Sequence, residues 1–284
     1  MFSVSAVKSV VQVVRNLEES RLIYESVLGL VRVRTASSGE SRTETYALPG
    51  DDFGMIRLVE NPNASAPVRD VSRPFDFGIM TLNFRTNDID AALARLQAVG
   101  CRPISGILDY NVGKPMREVM LATPTGERLT IIEVGGRIED IPVFSEAIAT
   151  VGLVVPSMGE SLRFYERGLG LTKAIAFQSS GAPFDSLLGI GRLDKLDFAT
   201  LNSGKNWTGK VELLELETDA KPIQTVASAD RTGYLMAAFE TDDLDAAVRA
   251  GIENGGKVID RSEEAAVIRA PGGELVEITP ALRQ

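Results

Sequence analysis

Near the start of the chain a β-branched run, Val10 to Val14, gives way to a stretch whose apolar residues recur at helical spacing and end on Leu28-Gly29-Leu30. Asn16 stands at the cap position, and Glu19 three residues later completes a capping box. The same succession returns further on. SVVQVVRNLEESRLIYESVLGL, residues 9–30, aligns without gaps on TVGLVVPSMGESLRFYERGLGL, residues 150–171, at a constant offset of 141 residues. Val13/Val154, Val14/Val155, Glu19/Glu160, Tyr24/Tyr165 and the closing Leu-Gly-Leu are shared, and Ser157 with Glu160 repeats the capping device. A second pair joins residues 78–100 to residues 233–255, sharing Phe84/Phe239, Asp88/Asp243, Asp90/Asp245 and Ala91-Ala92/Ala246-Ala247. There Asn87 with Asp90, and Asp242 with Asp245, put carboxylates in the first helical turn, where the helix dipole favours them. Gly29, Gly100, Gly170 and Gly255 fall where helices end in a left-handed residue. Three short strands are predicted after each helix. For the first helix they are residues 32–35, 43–48 and 55–59, and for the last they are 257–260, 266–268 and 275–279, the final two joined by a Pro271-Gly272-Gly273 turn. The unit is β-α-β-β-β, four times over, an α+β organisation produced by internal duplication.

The glycines, charges and proline between Gly135 and Pro142 favour neither helix nor strand, so the halves are expected at 1–136 and 143–284. A chain of 284 residues with 30 basic and 39 acidic side chains carries a net charge of −9, which disfavours nucleic acid and acidic lipid as partners. Histidine is absent from the sequence, which excludes Ser-His-Asp hydrolysis, Cys-His nucleophiles and imidazole-bound metal centres. The single cysteine, Cys101, has no intramolecular disulfide partner and reads as a buried structural thiol. No secretory leader and no apolar run of about 20 residues is visible, so a cytoplasmic protein without a membrane partner is expected.

The four modules, with the Tyr-x-x-x-Leu-Gly-Leu tag in the odd ones and the Pro-x-Gly turn before the last strand of the even ones, resemble the vicinal oxygen chelate superfamily. Glyoxalase I, bleomycin-resistance proteins and extradiol dioxygenases belong to it. The resemblance implies modules paired into two half-open mixed β-barrels around cavities, with metal ligands supplied as His, Gln or Glu by first and last strands. Carried over residue by residue, those positions fall in the first half on Ser9, Arg57, Ile79 and Thr130. In the second half they fall on Thr150, Glu212, Tyr234 and Glu277. The scaffold is kept and both imidazoles are gone, leaving two carboxylates in the second half and an arginine in the first.

Three readings follow. In the first, Glu212 and Glu277 face each other in a dry barrel, one pKa rises toward neutrality, and the pair performs proton transfer next to a carbonyl without a metal or other cofactor. Tyr234 would then stabilise the developing oxyanion, and the protein would be an isomerase, epimerase or lyase for a small oxygenated metabolite. In the second, the barrel sequesters a small molecule without catalysis, as in bleomycin resistance, with Phe164, Phe177, Phe184, Phe198 and Trp207 as candidate walls. In the third, Glu212 and Glu277 hold a divalent cation with water completing its shell, an atypical version of a glyoxalase or dioxygenase site. Thr150, Trp207, Phe198 and Arg57 are the candidate substrate-binding residues, Arg57 for an acidic metabolite. The loop 107–115 is suited to be a lid or a contact of a homodimer.

Overall fold

The computed structural model describes residues 2–38, 41–111, 113–139, 141–204 and 208–281. The first module comprises β1 (Ser9–Val14), α1 (Leu17–Arg21), β2 (Val31–Ser38), β3 (Ser41–Ala47) and β4 (Met55–Glu60). The second has β5 (Gly78–Thr86), α2 (Ile89–Ala98), β6 (Arg102–Pro103), β7 (Leu108–Asn111), β8 (Pro115–Ala122) and β9 (Arg128–Val134). The third has β10 (Ile148–Val154), α3 (Met158–Leu162), β11 (Thr172–Ser179), α4 (Phe184–Leu188), β12 (Lys195–Asn202) and β13 (Lys210–Glu217). The fourth has β14 (Gly233–Thr241), α5 (Leu244–Glu253), β15 (Lys257–Arg261), β16 (Ala266–Arg269) and β17 (Leu275–Pro280).

The repeated sequence signals have local physical causes. In modules one and three the helix widens into a π-turn, Leu22–Val27 and Arg163–Gly168, which carries the tyrosine of the tag inward. Tyr24 donates to Gln12 Oε1 and Tyr165 to Glu274 Oε1, each at 2.7 Å, so the tag is a packing signature. Asn16 caps α1 by accepting from the Glu18 amide at 2.9 Å, but the Leu17 amide goes to Glu60 of β4 at 3.2 Å. The same solution recurs where Glu133 of β9 accepts from the Ile89 amide at 2.9 Å. A last-strand glutamate thus accepts from the amide just past the cap, a tertiary contact added to the local one. In modules two and four Asp88 and Asp243 are the caps, so Asn87 and Asp242 precede the helices and Asp90 and Asp245 alone stand in the first turns. Gly29, Gly100, Gly170 and Gly255 all take positive φ, as their positions past the helices require. Cys101 is buried, and burial pushes its thiol up to about 11.

Two half-open sheets result. One runs β15-β16-β17-β14-β1-β4-β3-β2, and the other runs β11-β12-β13-β10-β5-β9-β8-β6, with β7 paired to β8. Modules one and four therefore build one barrel, and modules two and three the other. The expectation that each half of the chain encloses its own barrel is not met. Modules adjacent in sequence meet through their helices instead, α2 against the first π-turn and α5 against the second. The seam between distant modules is the antiparallel pairing of first strands, β1 with β14 and β5 with β10. Every residue of β1 and β10 is buried.

The two barrels are filled differently. Segment 61–77 lies along segment 218–232, with Ser65 N donating to Asp230 O and Val68 N to Thr232 O, both at 2.7 Å. Ala64 packs there with Val11, Val13, Leu235 and Leu275 and helps fill the one–four barrel. The two–three barrel is roofed by β7 and α4, which have no counterparts among the described residues of modules one and four. Their tips touch through an edge contact of Tyr110 on Phe184, centroids 5.6 Å apart.

A chain ending at Pro142 would leave β1 and β5 each without its antiparallel partner. Such a fragment is expected to self-associate or remain unfolded, because an unpaired apolar strand edge seeks a partner. Size-exclusion chromatography with circular dichroism checks this, and a folded monomer would contradict the seam.

Candidate functional site

Beneath β7 and α4 the two–three barrel encloses a cavity of about 330 Å³. Its wall is mostly apolar: Met116 and Met120 on β8, Met80 on β5, Phe177 on β11, Phe198 on β12 and Leu214 on β13 all face it. Phe177 stacks on Phe198 with centroids 4.5 Å apart and meets Phe184 at 5.8 Å. Strand alternation explains the polar groups, since Lys210, Glu212 and Leu214 share one face of β13 and all line the cavity.

Glu212 sits opposite Gly152 of β10, and its Oε2 accepts from Asn83 Nδ2 at 3.2 Å. Gly152 leaves the room for it. A Cβ there would stand 2.7 Å from Thr81 Cγ2 and 3.4 Å from Glu212 Oε1. Desolvation raises the Glu212 carboxyl to about 7, against the opposing effects of Asn83 and of Lys210. Across the cavity Glu118 of β8 is buried, and its Oε2 accepts from the Tyr110 hydroxyl. Desolvation raises Glu118 to about 8, with the Glu212 charge adding to the rise and Tyr110 opposing it. Burial lowers the Lys210 ammonium, and neighbouring Arg85 adds to that shift. Arg85 in turn meets Glu146 at 3.6 Å.

Of the residues singled out from sequence, the structure brings together Glu212, Thr150 and Phe198, with Phe177 and Phe184 beside them. Glu277 is elsewhere. It belongs to β17 in the other sheet and takes an ion pair from Arg57, so the Glu212–Glu277 couple is absent. Tyr234 does not reach the cavity either: its hydroxyl donates to Arg128 O at 2.9 Å within the core. Phe164 is a core ring, edge-on to Tyr165 at 5.1 Å. Trp207 lies outside the described residues. Arg57, expected to receive an acidic metabolite, is paired with Glu277 in the one–four barrel.

Glu118 and Tyr110 were not singled out as site residues, although a signal existed for the first. Met116, Glu118 and Met120 share one strand face, and a lone acid between two methionines on a cavity wall is the kind of buried charge that needs a reason. Tyr110 falls in the loop expected to be a lid or a dimer contact, and β7 carries it over the cavity.

The family's metal does not fit either barrel. In the two–three barrel the equivalent positions are Ile79, Thr130, Thr150 and Glu212; Ile79 is a core residue and Thr130 is hydroxyl-bonded to Thr81 at 2.9 Å, leaving one carboxylate. In the one–four barrel the Arg57 guanidinium stands beside Glu277, where a cation would have to bind. A cation shared by Glu212 and Glu277 is ruled out by their separate sheets. Among the described residues no group of three or more His, Cys, Asp or Glu side chains is placed to hold a metal ion.

Family profiles of the Glyoxalase/Bleomycin resistance protein/Dioxygenase superfamily match residues 6–129 and again residues 150–270, and the chain belongs to that superfamily. No curated protein matches it. Glyoxalase I from Zea mays superposes with a TM-score of 0.71 at 16% identity, over 98% of this chain and 93% of that one. A putative dioxygenase from Bacillus subtilis subsp. subtilis str. 168 superposes with a TM-score of 0.69 at 16% identity, over 99% and 86%. At this identity the likeness is one of fold. No helix among the described residues is long and apolar enough to cross a membrane.

The folded state keeps protons on Glu118 and Glu212 that the unfolded chain releases from about pH 4.5 upward. Their contribution to folding is therefore complete below that pH and is lost as pH rises through about 7 and 8. Relative to wild type, Glu118→Gln and Glu212→Gln should gain stability between about pH 5 and pH 9. Denaturation midpoints across that range read the effect, and a flat difference would mean that both carboxyls titrate as in water. In the other barrel, Arg57→Met alone should lower stability by about 1–3 kcal/mol, and adding Glu277→Leu should recover most of it. Equal loss in the single and double variants would contradict the pairing.

Proposed function

We propose that the protein is a metal-independent enzyme that moves a proton on a small, largely apolar, oxygenated substrate, in the manner of an isomerase, epimerase or lyase. The observation that carries this reading is the Glu212 carboxyl, raised to about 7 inside a cavity lined by Phe and Met side chains. A carboxyl with that value is close to half-ionised near neutral pH and serves both as base and, once protonated, as acid. Glu212 takes a proton from the carbon next to a substrate carbonyl. Lys210 on the same strand face and Thr150 opposite it on β10 offer donors to the oxygen on which negative charge gathers. Asn83 holds the Glu212 carboxyl through Oε2, which leaves Oε1 on the side of Gly152. The apolar walls exclude water and give these charges their strength.

The experiment is solvent deuterium exchange at the carbon next to the carbonyl of small apolar ketones, followed by NMR on EDTA-treated protein. Wild type should catalyse exchange, and Glu212→Gln should slow it by about 10²-fold or more. Equal exchange in the two proteins, or loss of exchange on chelation alone, would overturn the proposal.

A second reading is favoured by the stacked Phe177–Phe198 pair: sequestration of a flat apolar ligand without turnover. Saturable binding that survives Glu212→Gln, with no exchange catalysed by wild type, would select it.

A further inference from the structure

Glu118 has no part in the proton transfer just described, yet it is a buried carboxyl, only 7% exposed, on the wall of the same cavity. Among the described hydrogen bonds only Tyr110 reaches it, at Oε2. A run of aromatic contacts lines the same cavity, Tyr110 edge-on to Phe184 at 5.6 Å, Phe184 tilted on Phe177 at 5.8 Å and Phe177 stacked on Phe198 at 4.5 Å. The faces of aromatic rings carry the negative lobe of the quadrupole and attract cations. The flanking Met116 and Met120 are polarizable and adapt to a bulky group.

The charges point the same way. The ionisable side chains on the wall are Glu118, Glu212, Tyr110, Lys210 and Arg85, and Arg85 meets Glu146 at the edge. With Arg85 held by Glu146, Glu118 and Glu212 face Lys210 across the cavity, and the buried Arg128 guanidinium lies behind Met120, bonded to the Leu188 and Val71 carbonyls. A buried charge without a partner is costly, so one of these carboxyls keeps its proton, and burial with the Glu212 field raises Glu118 to about 8. An entering monocation restores neutrality and releases that proton, whereas an anion would add to the imbalance.

We propose that the substrate of this cavity is an apolar amine, and that Glu118 anchors its ammonium group while the aromatic chain holds its body. The proposal rests on the cavity being the site of action and adds the class of molecule that it accepts. The oxygen function of the substrate then lies toward Lys210 and Thr150, and the ammonium lies toward β8, on the opposite wall.

The test compares three probes with one body and different ends, phenylbutylamine, phenylbutanol and phenylbutyrate, by calorimetric titration of the full chain near pH 7.5. The amine should bind about tenfold or more tighter than the alcohol, with the carboxylate weakest. Titration in buffers of different ionisation heat should show proton release on amine binding only. In Glu118→Gln the amine should lose about tenfold in affinity and the alcohol should change less than about twofold. Alcohol or carboxylate binding as tightly as the amine to wild type overturns the proposal, whether or not the variant folds. An amine preference that survives Glu118→Gln overturns the anchor. Binding without charge preference leaves the proton-transfer reading standing, and failure of all three probes to bind removes both.

Discussion

The antiparallel seam between first strands governs the rest of the molecule. β1 on β14 and β5 on β10 place the largely buried first strand of each module at the centre of a sheet, with both its edges paired. Because that seam joins the first module to the fourth and the second to the third, each barrel interior is furnished by both halves of the chain. The helices then have only one place left to pack, against the helix of the neighbouring module. Which side chains share a cavity is therefore a consequence of strand pairing, and the chemistry available follows from it.

That dependence separates what the sequence revealed from what it withheld. The modules were legible because their signals are local: the β-branched run, the cap, the Leu-Gly-Leu end and the glycine past the helix each follow from the conformations of a few residues. Glu212 and Phe198 were legible as cavity residues because strand alternation places them on one side whichever sheet they join. The Glu212–Glu277 couple was not, because it required modules three and four to close on each other. All four first strands are apolar runs with nearly equivalent edges, so nothing in one sequence ranks one pairing above another. Glu277 instead met Arg57, the oppositely charged residue at the corresponding position of module one.

Divergence between the duplicated modules shows what each barrel became. In the one–four barrel an ion pair and the segment around Ala64 occupy the interior, and the short β15–β16 connection adds no roof. In the two–three barrel Gly152 leaves space for a carboxylate, threonines line the strands, and β7 and α4 cover the opening. One copy of the scaffold is closed by its own side chains and the other keeps a hollow with a few charged groups in it. The superfamily's imidazoles are absent from both, and on the described cavity wall desolvation brings the Glu118 and Glu212 carboxyls toward neutral pH.

The shared ownership of the hollow also has a mechanical side. Tyr110, Met116 and Glu118 come from the first half of the chain, and Phe177, Phe184 and Glu212 come from the second, so a molecule lodged among them touches both. An occupant works as a rivet through the seam: the two halves cannot separate without ejecting it, and its affinity is added to the cohesion of the whole chain.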